Sequence, residues 1–121
     1  MTPEKAYFKA KKEGPSDLTR NIACQDPYHA YLYALDVDKE PCKQTRDVAC
    51  QDSHYAYYYA LDVDKKPSKQ TRDAACQSPY YAYEYALDVD KEPLQETWKY
   101  VLNTEYEHKY TNWADKIENV G

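Results

Sequence analysis

The chain repeats itself every 26 residues without a gap, and that period constrains its fold more than any other feature. Residues 19–44 read "TRNIACQDPYHAYLYALDVDKEPCKQ", 45–70 "TRDVACQDSHYAYYYALDVDKKPSKQ" and 71–96 "TRDAACQSPYYAYEYALDVDKEPLQE". Fifteen of the 26 positions are identical in all three copies. A unit this short cannot enclose a core alone, so neighbouring units must stack and bury their faces against one another. The flanks read as worn copies. A 26-residue step pairs Tyr7 with Tyr33, Pro15 with Pro41 and Thr19 with Thr45, and Thr97 opens a segment that starts in register and then diverges. This divides a single domain into an N-terminal cap (1–18), three repeats (19–44, 45–70, 71–96) and a C-terminal cap (97–121).

Each copy holds two short helical patterns. Asp26, Asp52 and Ser78 suit a helix N-cap, and Pro27, Ser53 and Pro79 follow at the first helical position. Beyond them Ala56, Tyr59, Ala60 and Val63 fall at i, i+3, i+4 and i+7, a stripe shared by Ala30, Tyr33, Ala34, Val37 and by Ala82, Tyr85, Ala86, Val89. A second helix begins near Pro41, Pro67 or Pro93, with Thr45, Val48 and Ala49 facing inward in the middle copy. Helices of about ten residues are unstable alone in water. The expected fold is therefore all-α, a small right-handed αα solenoid closed by degenerate caps.

The segments "TRNIACQDP", "TRDVACQDS" and "TRDAACQSP" place an Arg-x-x-Ala stretch before an Asp-Pro turn. In this the chain resembles short HEAT-like and leucine-rich-variant helical repeats over residues 19–96. The resemblance implies a binding scaffold, with tyrosine standing where such repeats carry leucine.

Leu, Ile, Val and Phe make up only 16 of 121 residues, so 15 Tyr and 2 Trp must supply the core. Tyr31, Tyr57 and Tyr83, and Tyr33, Tyr59 and Tyr85, are the same in every copy and are expected to pack between helices, with Leu35, Leu61 and Leu87 beside them. Between these positions lies a strip that varies: Tyr28, His29 and Leu32; His54, Tyr55 and Tyr58; Tyr80, Tyr81 and Glu84. Stacked helices would align these trios into a ridge, and tyrosine favours interfaces by joining large contact area to a hydroxyl. The nine residues are the expected partner-binding face, with Tyr58 pointing outward. In the C-terminal cap Tyr106, Tyr110, Trp113 and Ile117 form a stripe expected to seal the stack.

The net charge is -5 and unevenly spread, with the third repeat alone at -4. That disfavours direct binding to nucleic acid and points to another protein with a basic surface. An alternative is an acidic inhibitor that mimics nucleic acid, presenting Asp36, Asp62 and Asp88 like phosphates. Each copy also sets one Arg (Arg20, Arg46, Arg72) against two Asp, as in Asp36 and Asp38. An Arg-to-Asp ladder is the expected use of these carboxylates, a cation site in the D-x-D pairs the alternative.

Cys24, Cys50 and Cys76 recur once per copy and should stay as small buried thiols, too far apart to bridge if spaced as packed helices. Cys42, aligned with Ser68 and Leu94, is the one expected to be exposed. His29, His54 and His108 share no repeat position, and Cys50 with His54 has no third group to orient it, so a non-catalytic protein without metal or cofactor is expected. No apolar run approaches a membrane span, and "MTPEKAYFKAKKEG" lacks a signal-type apolar stretch, so a cytoplasmic location is expected.

Overall fold

The computed structural model describes residues 1–120, with side chains through Glu118. Its described residues are helical, without strands, in nine helices: α1 Pro3–Glu13, α2 Asp17–Ala23, α3 Pro27–Leu32, α4 Lys43–Ala49, α5 Ser53–Tyr58, α6 Lys69–Ala75, α7 Pro79–Tyr85, α8 Gln95–Val101 and α9 Glu107–Val120. The odd-numbered helices pack on one another in series, and each even-numbered helix packs most closely on the odd-numbered helix before it. A repeated helix-pair architecture follows.

Capping chemistry sets the boundaries. Asp26 accepts the His29 amide (3.1 Å), Asp52 the His54 amide (2.8 Å) and Ser78 the Tyr81 amide (3.5 Å), so α3, α5 and α7 start where the sequence predicts. The N-caps of the even-numbered helices are Ser16, Cys42, Ser68 and Leu94. Ser16 and Ser68 accept the amides of Thr19 (3.1 Å) and Thr71 (3.2 Å).

After Tyr33, Tyr59 and Tyr85 the helices do not stay α. They widen into π-helical turns over Tyr33–Asp38, Tyr59–Asp64 and Ala86–Asp90, each closed by a left-handed lysine: Lys39, Lys65 or Lys91. The 3.6-residue period carries no sign of this change.

The core has a small-residue floor and a tyrosine filling. Ala30, Ala34, Ala49, Ala56, Ala60, Ala75, Ala82 and Ala86 are fully buried, which lets the helices approach closely. Tyr33, Tyr59 and Tyr85 are equally inaccessible and fill the space that remains. Val63 and Val89 are buried, while Val37 and Val48 are half-buried.

Three expectations need correction. Tyr7 is not the counterpart of Tyr33: it bonds Asp36 as Tyr31 bonds Asp62 and Tyr57 bonds Asp88. The N-terminal helix is thus shifted by two residues against the 26-residue register. Cys42 is half-buried at an N-cap rather than singled out by exposure, its thiol 3.2 Å from the Thr45 hydroxyl. Ile117 is exposed at the end of the cap stripe, whereas Tyr110 is buried and Tyr106 and Trp113 pack around it.

Candidate functional site: an aromatic ridge on the odd-numbered helices

The ridge rests on a scaffold of tyrosine hydroxyls. Tyr33 Oη lies 2.8 Å from Thr19 Oγ1 and accepts the Ser16 amide (3.0 Å). Tyr59 does the same with Thr45 (2.7 Å) and the Cys42 amide (3.1 Å), and Tyr85 with Thr71 (2.7 Å) and the Ser68 amide (3.0 Å). Each ring fills the core while its hydroxyl occupies an amide that a helix start leaves without an intrahelical partner. Leucine could do only the first. Among the described residues no buried side-chain polar atom lacks a partner.

The paired aspartates turn to different partners. Asp38, Asp64 and Asp90 receive the guanidinium of Arg20 (2.7 Å), Arg46 (2.6 Å) and Arg72 (2.6 Å) within their own repeat. Each guanidinium also covers the core tyrosine ring, 5.4–5.7 Å from its centroid. Asp36, Asp62 and Asp88 instead accept hydroxyls from the preceding unit: Tyr7, Tyr31 (2.5 Å) and Tyr57 (2.5 Å). The Arg ladder therefore uses one aspartate per repeat, because the other forms a bond between repeats. These three hydroxyls are pushed well above the ordinary tyrosine range, first by burial and then by the bonded carboxylate. Half-buried and already bonded, Asp36, Asp62 and Asp88 are not a free series of anions.

The nine strip residues do come together. The ring of Tyr55 lies 5.5 Å from Tyr28 and 6.2 Å from Tyr31, contacting two rings of the repeat before it. Tyr81 repeats the pattern against His54 (5.1 Å) and Tyr57 (5.5 Å), and Tyr106 against Tyr80 (5.6 Å) and Tyr83 (6.2 Å). The result is a continuous ladder of rings across the odd-numbered helices. The most exposed of the nine are Tyr28, at 43%, and Tyr80, at 42%. His29, Leu32, His54, Tyr55, Tyr58, Tyr81 and Glu84 are half-buried. Tyr55, Tyr58 and Tyr81 also pack on the core clusters beneath, so they carry stability as well as surface. Tyr58 accordingly does not simply point outward: its ring lies 4.9 Å from Tyr57 and 4.8 Å from His54.

Sequence reasoning missed Phe8, Tyr7 and Tyr106, which extend the ladder at both ends. Phe8 is 51% exposed and meets Tyr7 edge-on at 5.1 Å. The two-residue slip of α1 hid it, and a one-residue shortening of the last copy hid Tyr106. The core spacing Thr45–Tyr59, 14 residues, becomes 13 in Thr97–Tyr110.

Carboxylates flank the rings. Asp26 pairs with His29, Glu84 lies beside Tyr80, and the Glu84 charge is the chief reason the Tyr80 hydroxyl is raised. Glu84 is itself raised, by burial and then by the charge of Asp88. Burial pushes the thiols up, to about 11 for Cys24 and Cys50 and about 12 for Cys76, so they stay protonated at neutral pH. All four cysteines are free. His54 bonds the Tyr81 hydroxyl and is part of the ladder. Among the described residues no helix is long and apolar enough to cross a membrane. Comparison with protein families, curated proteins and solved structures gives no match for the chain.

Proposed function

We propose that the chain is a non-catalytic, cytoplasmic binding scaffold of HEAT-like organisation, whose aromatic ridge receives another protein with a basic surface. One observation carries this reading: a continuous ladder of partly open rings, bordered by carboxylates, on one set of helices. Large aromatic contact area at a binding face gives affinity, and the surrounding negative charge selects a cationic partner and speeds its approach. The even-numbered helices present a different surface, where Lys43–Asp47 and Lys69–Asp73 pairs and the Gln44–Asn21 bond satisfy one another. The nucleic-acid-mimic alternative has less support, because the aspartates it needs are engaged by Tyr7, Tyr31 and Tyr57.

Site-specific photocrosslinking in the source cell tests this reading. A photoreactive phenylalanine placed at Tyr28 or Tyr80 should form adducts with a partner protein, while the same probe at Gln44 or Gln70 should not. Adducts only from Gln44 and Gln70 would move the binding face to the even-numbered helices.

A further inference from the structure

Between α1 and α3 the ridge opens into a groove lined by Glu4, Tyr7, Phe8, Tyr28, His29 and Leu32. It offers two well-exposed ring surfaces, Phe8 and Tyr28, and an exposed carboxylate, Glu4. No lysine or arginine lines it, although α1 carries Lys5, Lys9, Lys11 and Lys12. Lys5, Lys9 and Lys12 line a second depression that shares Glu4 and Phe8 with the groove. Lys11 covers the Tyr7 ring at 5.4 Å without lining the groove, which leaves Phe8 and Tyr28 as the uncovered rings.

The protein shows elsewhere what such a set of groups binds. Three times a guanidinium lies over a tyrosine ring and forks onto a carboxylate: Arg20 on Tyr33 and Asp38, Arg46 on Tyr59 and Asp64, Arg72 on Tyr85 and Asp90. The groove holds the ring-and-carboxylate part of that arrangement without its arginine. Resting on the ridge reading above, we infer that the groove between α1 and α3 is a seat for an arginine side chain of the partner protein. The planar guanidinium stacks on Phe8 and Tyr28 and donates to Glu4, a combination that ammonium cannot match because it lacks both plane and fork. The carboxylate of Glu4 supplies the charge complementarity on the groove side.

The test uses the full chain, isotope-labelled, titrated with an end-blocked Gly-Gly-Arg-Gly-Gly peptide and with its lysine and citrulline counterparts. Citrulline keeps the shape of arginine and removes its charge. Saturable shifts should centre on the Phe8 and Tyr28 ring protons for the arginine peptide, with affinity lower by about tenfold for citrulline and lower also for lysine. Phe8→Ala and Glu4→Gln should each weaken binding about five- to tenfold at unchanged melting temperature, since both side chains are exposed. Equal binding of the lysine peptide, shifts centred on Tyr80 and Tyr106, or no saturable binding would each overturn the arginine seat. Crosslinks from Tyr28 and Tyr80 with no arginine binding would overturn the seat alone and leave the ridge standing.

Discussion

In the three interior repeats a guanidinium covers the ring of Tyr33, Tyr59 or Tyr85; in the C-terminal repeat Trp98 covers the ring of Tyr110, at 5.3 Å. Trp98 stands 26 residues after Arg72, and beyond the one-residue shortening the aspartate that Arg72 binds, Asp90, has Asp115 at the corresponding position. The arginine is lost while an aspartate, exposed, remains. An indole covers the ring without needing a carboxylate partner. What stays constant is the hydroxyl bond beneath: Tyr110 lies 2.7 Å from Thr97, as Tyr59 and Tyr85 lie from Thr45 and Thr71. The comparison ranks the parts: the tyrosine–threonine bond is essential to the fold, and what covers the ring is replaceable.

The largest effect should come from the part common to both regions. Tyr59→Ala should cost about 3–5 kcal/mol in urea unfolding, as for other buried aromatics. Tyr59→Phe keeps the ring but strands the Cys42 amide, and should cost about 1–3 kcal/mol. A cost near zero for Tyr59→Phe would mean the hydroxyl bond is incidental.

Next comes the replaceable cover. Asp64→Ala leaves Arg46 without its carboxylate. Arg46 keeps 23% of its side-chain exposure, so the loss should be about 2–3 kcal/mol, below the 3–5 of a fully buried pair. The double variant Arg46→Trp/Asp64→Ala sets an indole by Tyr59 as Trp98 stands by Tyr110, and should recover much of that loss. Strictly additive losses would contradict the equivalence of the two covers.

The bonds between repeats come third. Tyr57→Phe should cost about 1–2 kcal/mol by removing the hydroxyl from Asp88. Its pH dependence has a definite sign. The folded state holds the Tyr57 proton to higher pH than the unfolded chain, whose tyrosines ionise near pH 10. The contribution is therefore full below pH 10 and is lost as pH rises above it. The loss measured in alkaline melts should be smaller in Tyr57→Phe. The smallest change should be favourable: Cys42→Ser restores the cap of Ser16 and Ser68, and should add about 0.5–1 kcal/mol to thermal stability.

The sequence exposes the repeat boundaries, the N-caps, the alanine floor and the placing of Tyr33, Tyr59 and Tyr85 in the core. It does not reveal which groups pair. In an exact repeat every residue recurs beside every other at fixed spacing, so Asp36 and Asp38 look alike although one binds a tyrosine and the other an arginine. Only the worn copies could break that degeneracy, and the last one does not: Trp98 replaces the arginine while Asp115 keeps the aspartate. The slip of α1 and the π-helical turns change register without changing residue type. They hid the role of Tyr7 and the end of the ridge at Phe8.

The central claim is that the open rings serve binding while the enclosed rings serve folding. Its most direct test is Tyr28→Ala/Tyr80→Ala, with melting temperature and capture of the crosslinked partner measured on the same preparation. Unchanged melting with lost capture is the predicted result. Retained capture, or collapse of the fold, would contradict the division between ridge and core.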